Sequence, residues 1–483
     1  MGMATEISLM SYLSVCLTQD WGIGNTKESL LSSIIFAGQI FGALLWGFVG
    51  DMYGRKMSLT GALALVVLSG FTTIFSVNFS MLACMRFLVG LGTGGLYLPI
   101  NYLAEILPAE TRGFGVSIVG FFWAIGNVYV AGFAWLLLPS HTADGWRSLS
   151  LICMIPSALA LIMSLCFPES PRWLLSQQRE VDSRRVVNII AARSNKTLPP
   201  FMLEPPPGQE KGGTLLDLLS RKYLSLNIRV WTIWFCVGFS YYGLVLFISR
   251  VFVTNDDDDG NDLDDNDDTH NLCSFRFLPM FISSLAEIPA AIMPLVLLER
   301  FGRNTLQTSF CVLGCVSCLF LGAVPGITGK TISAFCGRAV LRSAFNVAII
   351  AVTELYPTHM RSFSGAVSVF ISRVGAFISP YLVQNDNITI MAACIVLTCT
   401  SALMGLSALV TPDTRQMRLD DKVDMELDMD MAMAVERLSL AVHSLEIEIV
   451  GREVNEISTI VGNGRDAREV VDEVVKNPVR EGS

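Results

Sequence analysis

The stretch "GFVGDMYGRK" at residues 47–56 joins two long apolar segments and concentrates glycine and charge between them. A second stretch, "LERFGRNT" at 298–305, occupies the same kind of position between two later apolar segments. The acidic residues of the two stretches are 248 residues apart, because 299 − 51 = 248. "EILPAETR" at 105–112 matches "ELYPTHMR" at 354–361 at an offset of 249, since 354 − 105 = 249. The nearly constant offset predicts two similar halves in tandem.

The composition indicates a membrane protein. Of the 483 residues, 52% are hydrophobic and only 16% are charged, and the mean hydropathy is +0.52, whereas soluble domains carry about a quarter charged residues. The apolar residues fall in runs of about twenty, the length that a helix needs to cross roughly 30 Å of hydrocarbon. Helices are required because lipid offers no partner for an unpaired backbone N–H. We therefore predict an all-α integral membrane protein.

We predict twelve spans in two sets of six, numbered 1–12, at 3–19, 28–50, 57–77, 81–104, 115–138, 147–167, 230–253, 277–298, 305–325, 331–353, 363–383 and 388–410. The predicted domains are an N-terminal six-helix half at 1–167, a cytoplasmic central loop at 168–229, a C-terminal six-helix half at 230–410 and an acidic tail at 411–483. Span 1 begins almost at Met1 and is short. Either its first turn is missing from the sequence or the helix begins in the headgroup layer, and we expect the former.

Basic residues orient the spans. The central loop carries ten Lys and Arg residues, and loops rich in these residues face the cytoplasm. The N-terminus, the central loop and the tail are therefore predicted to be cytoplasmic. The acidic run at 255–268 then lies on the opposite side. It begins like an EF-hand calcium loop, but its twelfth position is Asn266 instead of Glu, so we interpret it as a solvated acidic loop.

Several classes of protein are disfavoured by the sequence. It contains no glycine-rich phosphate loop and no nucleophile motif in a polar setting. Cys311, Cys315 and Cys318 share one face of span 9, but no His or carboxylate flanks them, and we interpret them as packing residues. The net charge of −9 comes from the acidic run and the tail and does not indicate a nucleic-acid partner. We expect neither an enzyme nor an ATP-driven pump, and neither a cofactor nor a metal site.

Two six-helix halves of the same orientation are typical of transporters, in which the halves rock against each other around a site near the bilayer midplane. Charged residues in the cytoplasmic turns can form charge-assisted contacts with neighbouring helices. Such contacts would hold the halves together in one state and break in the other. Gly47 and Gly50 would let the helix backbones approach closely.

Three motifs resemble those of the major facilitator superfamily. The stretch at 47–56 is similar to the signature G-x-x-x-D-x-x-G-R-K between spans 2 and 3. "RFLVGLGTGG" at 86–95 resembles the span 4 signature, and "PESPRWLL" at 168–175 resembles the end of span 6 in sugar and organic-ion porters. The combination covers about residues 1–415 and is more specific than any single motif.

Within that superfamily the chain most resembles the synaptic vesicle transporter-like (SVOP-like) group. The similar stretches are "LLSSIIFAGQIFGALLWG" (30–47), "FFWAIG" (121–126), "FSYYGLVL" (239–246) and "SRVGAFISPYL" (372–382). The resemblance implies twelve helices, alternating access and secondary transport of a small polar solute, often coupled to protons. It implies a sugar, carboxylate or organic ion as solute and the plasma membrane or a vesicle membrane as location.

Two positions depart from the family pattern. Family members commonly have Asp-Ala-Met-Glu in span 1, whereas this chain has "MATE" at 3–6, with Met3 in place of the Asp. The second-half turn ends in Arg303-Asn304 instead of two basic residues. The second departure is expected to weaken the cytoplasmic contacts of the C-terminal half.

Ionisable groups inside spans are costly and are therefore functional candidates. Glu6 can take up and release a proton if it faces a low-dielectric cavity, or it can reach cytoplasmic water from its place near the N-terminus. Glu287 is the expected carboxylate partner for Arg338, Arg342 or Arg373, and a Glu287–Arg373 pair would be either structural or broken by protonation. The candidates for solute binding and coupling are Glu6, Gln39, Asn101, Trp123, Tyr241, Tyr242, Glu287, Asn346 and Arg373.

Each of these candidates has an alternative role. The amides can form packing hydrogen bonds between helices. The rings of Tyr241 and Tyr242 can stack on a planar or sugar-like solute or on a cation. Arg86 and Arg338, near the outer ends of spans 4 and 10, can bind an anionic group or a carboxylate, or they can extend to the outer headgroups.

The gating candidates belong to the two turns, the matching stretches and the arginines of spans 4 and 10. They are Gly47, Asp51, Gly54, Arg55, Lys56, Arg86, Glu105, Arg112, Glu169, Arg172, Glu299, Arg300, Arg303, Arg338, Glu354 and Arg361.

A second function remains open from the sequence, that of a non-transporting receptor or scaffold with the same fold. In the tail, apolar residues recur at spacings of three and four over 435–449 and predict an amphipathic helix. Such a helix could dock a partner protein or the cytoplasmic face of the molecule. The lipid bilayer, a small solute and protons are the other expected partners.

Overall fold

The structure is a computed structural model. It describes residues 1–97, 102–103, 109–140, 145–193, 218–253, 275–298, 300–356, 358–385 and 387–411, with the backbone alone at 19, 25, 109–117, 140, 193, 222, 353, 358–359 and 361–362. The predicted acidic loop and the tail lie outside the described residues, so the predictions for them stay predictions.

Six helices make up the N-terminal half and correspond to predicted spans 1–6. They are α1 (Gly2–Trp21), α2 (Asn25–Tyr53), α3 (Arg55–Thr73), α4 (Phe79–Gly94), α5 (Ala109–Leu137) and α6 (Gly145–Leu165). Two shorter helices follow in the predicted central loop, α7 (Pro171–Ser176) and α8 (Glu180–Arg193).

Seven helices make up the C-terminal half. They are α9 (Arg221–Val251), α10 (Phe277–Leu285), α11 (Glu287–Leu297), α12 (Arg303–Ala323), α13 (Ile327–Leu355), α14 (Thr358–Val383) and α15 (Ile390–Val410). Predicted span 8 is thus two helices, α10 and α11, which meet at Ala286. The interruption follows from Pro289, which lacks an N–H and whose ring conflicts with the carbonyl group four residues earlier, that of Leu285.

The helices are those of a membrane protein. Among the described residues, ten helical segments are long and apolar enough to cross a membrane, with α10 and α11 counted as one, and Phe79–Gly94 is a shorter apolar helix. Helix α1 supplies the remaining predicted span. The predicted all-α, twelve-helix class is confirmed, and regular structure other than helix in the described residues is one isolated bridge between Val253 and Phe275.

Glycines set the closest helix crossings. A Cβ added to Gly38 of α2 would overlap the carbonyl oxygen of Phe87 in α4, and one added to Gly238 of α9 would overlap that of Ser372 in α14. Small residues therefore let these backbones touch. The expectation that Gly47 serves this purpose is wrong, because a Cβ there would meet nothing within 4 Å.

Candidate functional site

A buried polar cluster joins the two halves near the middle of the membrane. We call it the midplane cluster and define it as Trp123, Asn127, Tyr241, Glu287, Arg338 and Arg342. Glu287 lies ten residues beyond Phe277, the first residue of span 8, which at 1.5 Å per residue is about 15 Å along the helix. That depth is about half of the hydrocarbon thickness.

Glu287 is the centre of the cluster. The break before α11 makes it the first residue of that helix, and its side chain is 0% exposed. One carboxylate oxygen, Oε1, accepts hydrogen bonds from Arg338 Nε at 2.9 Å and from Tyr241 Oη at 2.7 Å. A buried carboxylate requires such partners, because an unpaired charge in a low-dielectric interior is costly.

The cluster reaches the N-terminal half through two hydrogen bonds. Arg338 Nη2 donates to Asn127 Oδ1 at 2.8 Å, and Trp123 Nε1 donates to Tyr241 Oη at 3.0 Å. Ser8 of α1 donates to the same oxygen of Asn127. Helices α1 and α5 of one half are therefore linked to α9, α11 and α13 of the other through one carboxylate network.

Arg342 completes the cluster in a different way. Its Nε lies 3.7 Å from Glu287 Oε2, which is an ion pair but too long for a hydrogen bond. Its guanidinium carbon lies 4.7 Å from the ring centroid of Trp123, 5.4 Å from that of Tyr241 and 5.3 Å from that of Phe345. Among the described residues, Glu287 Oε2 accepts no hydrogen bond. Arg342 is thus held mainly by ring faces.

The predicted Glu287–Arg373 pair is wrong. The ion pairs of Glu287 are with Arg338 and Arg342, whereas the Arg373 guanidinium lies over the ring of Tyr242, 4.9 Å from its centroid. Tyr241 and Tyr242 are consecutive on a helix and project about 100° apart. Arg342 contacts the ring of Tyr241, and Arg373 contacts the ring of Tyr242.

A second buried ion pair lies inside the N-terminal half. Arg86 Nη1 is 2.9 Å from Glu6 Oε2, and both side chains are 1% exposed. Glu6 therefore does not reach cytoplasmic water in this structure. Arg86, and Arg338 with a side chain 5% exposed, are buried beside carboxylates and do not extend to the outer headgroups.

Two of the predicted polar candidates form packing hydrogen bonds between helices, as their alternative role proposed. Gln39 Nε2 of α2 donates to Thr93 Oγ1 of α4 at 3.2 Å, and Asn346 Nδ2 of α13 donates to the carbonyl of Ala290 in α11 at 3.1 Å. Asn101 lies outside the described residues.

The turn between α2 and α3, predicted to be cytoplasmic, contacts Glu169. Its Oε1 accepts hydrogen bonds from the backbone N–H groups of Lys56, at 3.0 Å, and Ser170, at 2.9 Å. Gly54 has φ of 106°, and a Cβ there would overlap the Glu169 carboxylate, so the turn requires glycine. Asp51 pairs with Arg55 at 2.6 Å.

In the C-terminal half, Arg303 forms two hydrogen bonds with Glu354, at 2.9 and 3.0 Å. Bidentate pairs of this kind are strong, so this turn keeps a strong contact in spite of Asn304. Each turn makes its described contacts within its own half. None of these described contacts joins the two halves.

The remaining gating candidates are less informative. Arg172 and Arg300 are exposed. Glu105 and Glu299 lie outside the described residues, and the side chains of Arg112 and Arg361 are not among those described.

Some residues of the site were not predicted as solute-binding or gating residues. Asn127 was expected, with the other amides within spans, to line the cavity or to form packing hydrogen bonds, and Arg342 was expected only as one possible partner of Glu287. Ser8, Thr93 and Phe345 were not singled out. Helical spacing is a usable signal for Phe345, which lies three residues after Arg342 and therefore on the same helix face. Ser8 lies two residues after Glu6 and thus on a different face, so the spacing gives no signal for it.

Comparison with known proteins defines the class. The sequence model of the family described as "Sugar (and other) transporter" matches residues 9–420, and the chain belongs to this family. It is therefore an integral, multi-pass membrane transporter of the major facilitator superfamily, not an enzyme.

Its relatives include named and putative transporters. The chain is 28% identical over 424 residues to organic cation/carnitine transporter 7 of Arabidopsis thaliana, covering 78% of this chain and 81% of the relative. It is 29% identical over 412 residues to the putative transporter svop-1 of Caenorhabditis elegans, covering 84% and 78%. The predicted SVOP-like resemblance is confirmed.

The fold is also that of solved transporters. The inward-open xylose transporter XylE from E. coli has a TM-score of 0.67 at 20% identity, covering 86% of this chain and 95% of that one.

Proposed function

We propose that this transporter moves a small polar solute by alternating access, coupled to protons, with the midplane cluster as the solute and coupling site. The observation that carries the proposal is that one buried carboxylate, Glu287, holds side chains that hydrogen-bond to the opposite half. A change in its charge or partners would therefore change how strongly the halves are joined.

Protonation of Glu287 would weaken this junction. The titratable and charged groups that face it are Tyr241 from α9 and Arg338 and Arg342 from α13, while α5 presents the neutral Trp123 and Asn127. A neutral carboxyl group would lose its ion pairs with both arginines. Arg338 would then hold Asn127 less firmly, and the halves could separate on one side.

The Glu6–Arg86 pair is the second coupling candidate. It lies within one half, and its carboxylate is 1% exposed. A related fold also supports proton coupling, since one XylE structure is described as that of a proton:xylose symporter. The name of another relative, the synaptic vesicle 2-related protein of Xenopus laevis, supports a vesicle membrane as the location.

The test is uptake by the full chain in proteoliposomes. Sugars, carboxylates and organic cations are screened with and without an imposed pH gradient, for the unaltered chain, Glu6→Gln and Glu287→Gln. Asp182→Asn, in an exposed pair with Arg179 on the cytoplasmic side, is the matched control. We expect gradient-driven uptake that the control keeps and that at least one of the two buried variants loses.

Two results would contradict the proposal. Uptake that does not depend on the pH gradient, in the unaltered chain or in any variant, would contradict proton coupling. No uptake of any solute class by demonstrably folded protein would favour the receptor or scaffold function.

A further inference from the structure

We propose that the solute is an anion, a small organic carboxylate, and that its carboxylate binds the guanidinium of Arg342. This inference rests on the proposed function and specifies its solute.

The charge of the midplane cluster is the first argument. Two guanidinium groups, those of Arg338 and Arg342, share the single carboxylate of Glu287. A buried cation without a full counter-charge is costly, and an anionic solute would supply the missing charge. The nearby guanidinium of Arg373, over the ring of Tyr242, adds to the positive potential.

The division of hydrogen bonds is the second argument. Glu287 Oε1 takes the hydrogen bonds from Arg338 and Tyr241, while Oε2 is 3.7 Å from Arg342 Nε. Among the described residues the contacts of Arg342 are this ion pair and three ring faces, and the buried hydroxyl of Tyr242 has no hydrogen-bond partner. The donors of Arg342 are thus free to form the two parallel hydrogen bonds that a guanidinium makes with a carboxylate.

The aromatic rings are the third argument, because they disfavour an organic cation. The faces of Trp123, Tyr241 and Phe345 could hold a cationic solute, but Arg342 already occupies them. A second cation at this place would meet a like charge. The rings instead orient the guanidinium and leave its edge for an anion.

The same geometry couples the solute to a proton. A bound solute carboxylate first supplies the missing negative charge and replaces Glu287 as the partner of Arg342. Glu287, with one ion pair fewer, can then take up a proton, which returns the cluster to the net charge that it had before the solute bound. One monocarboxylate and one proton would then move together without net charge. A membrane potential imposed with potassium and valinomycin should therefore not drive uptake of a monocarboxylate, whereas a pH gradient should.

The experiment uses matched ligands of different charge. Benzoate, benzamide and benzamidinium share one planar frame, and lactate and succinate are paired with their amides. Binding is measured as the shift in thermal unfolding of the full chain in detergent micelles, and transport as uptake into proteoliposomes. At least one carboxylate should bind about tenfold or more tightly than its amide, as expected for a charge-assisted pair, and benzamidinium should not bind.

Variants assign the preference to Arg342. Arg342→Gln should lose the preference for a carboxylate over its amide, and Arg342→Lys should keep part of it. Arg184→Gln, in an exposed pair with Glu180 on α8, should leave the preference unchanged. The ligand series on the unaltered chain tests the inference even if Arg342→Gln does not fold.

The outcomes separate the two proposals. Gradient-driven uptake of a neutral sugar or an organic cation, with no carboxylate bound, would overturn the anion inference and leave a proton-coupled transporter. A carboxylate preference that survives in Arg342→Gln would overturn the assignment to this residue. Absence of any uptake by folded protein would overturn both proposals.

Discussion

Repeat-related positions carry different chemistry in the two halves. Gln39 corresponds to Glu287, since 287 − 39 = 248, and Thr93 corresponds to Arg342, since 342 − 93 = 249. In the N-terminal half the amide donates to the hydroxyl at 3.2 Å. In the C-terminal half the carboxylate faces the guanidinium at 3.7 Å. The first pair is neutral and lies within one half, whereas the second belongs to the network that joins the halves.

This difference between the two pairs distinguishes residues that the fold requires from residues that the function requires. A neutral amide–hydroxyl pair is enough to fill the helix crossing in the N-terminal half, so the crossing does not itself require charge. Burying Glu287 and Arg342 is more costly than burying an amide and a hydroxyl. We infer that the charges of the C-terminal half are retained for binding and coupling.

The largest effect is expected from Glu287→Gln, which gives the C-terminal half the amide of its counterpart. Arg338 and Arg342 would lose their counter-charge, and breaking a buried pair costs about 3–5 kcal/mol. Gradient-driven uptake in proteoliposomes should fall about 100-fold or more, corresponding to about 2.7 kcal/mol at 1.36 kcal/mol per factor of ten. Uptake by Glu287→Gln within a few-fold of the Asp182→Asn control would contradict the comparison.

A smaller effect is expected at the helix crossing beside Gln39. Gly38→Ala would push its Cβ into the backbone of α4, and overpacking of this kind costs about 1–3 kcal/mol. The free energy of unfolding in micelles should fall by that amount. Gly47→Ala is the matched control, since its Cβ would enter open space. Equal stability of the two variants would show that the crossing is not as close as described.

The double variant Glu287→Gln with Arg342→Thr copies the N-terminal pair into the C-terminal half. Removing Arg342 also removes the cation that Glu287→Gln leaves without its ion-pair partner. The free energy of unfolding of the double variant should exceed, by about 1–2 kcal/mol, the value predicted by adding the effects of the two single variants. Carboxylate uptake by the double variant should remain absent. Strict additivity would mean that Glu287 and Arg342 do not interact.

The smallest effect is expected at the turns between α2 and α3 and between α11 and α12. The Asp51 side chain is 72% exposed beside Arg55, and exposed pairs contribute about 0–1 kcal/mol. Asp51→Asn should therefore change the free energy of unfolding by less than Glu354→Gln, which breaks the bidentate pair with Arg303. Thermal unfolding of both variants in one detergent checks the order, and a reversed order would contradict it.

Much of the fold could be read from the sequence because lipid restricts the solutions. The twelve apolar runs each predicted a helix, since a spanning segment has to satisfy its own backbone hydrogen bonds. The break in span 8 was missed although Pro289 indicates it, because proline within spans is often tolerated.

The candidate site was less predictable. Glu6, Tyr241, Glu287 and Arg338 were found because charged or aromatic groups inside spans stand out against the apolar background. The partner of Glu287 was left open among three arginines, of which the structure shows two to be partners. Arg338, Arg342 and Arg373 all lie within spans, and one residue along a helix rotates a side chain by about 100°.

The sequence by itself determined the helical class, the tandem repeat and the set of buried charges, because these follow from composition, periodicity and the cost of charge in lipid. Only the tertiary structure decided which cation meets which carboxylate. Glu6 and Arg86 are 80 residues apart in the chain and 2.9 Å apart in space. Glu287 selects Arg338 and Arg342 because α11 packs against α13, whereas Arg373 comes from α14, which packs against α9. Helix rotation and crossing set these distances, and no local sequence pattern encodes them.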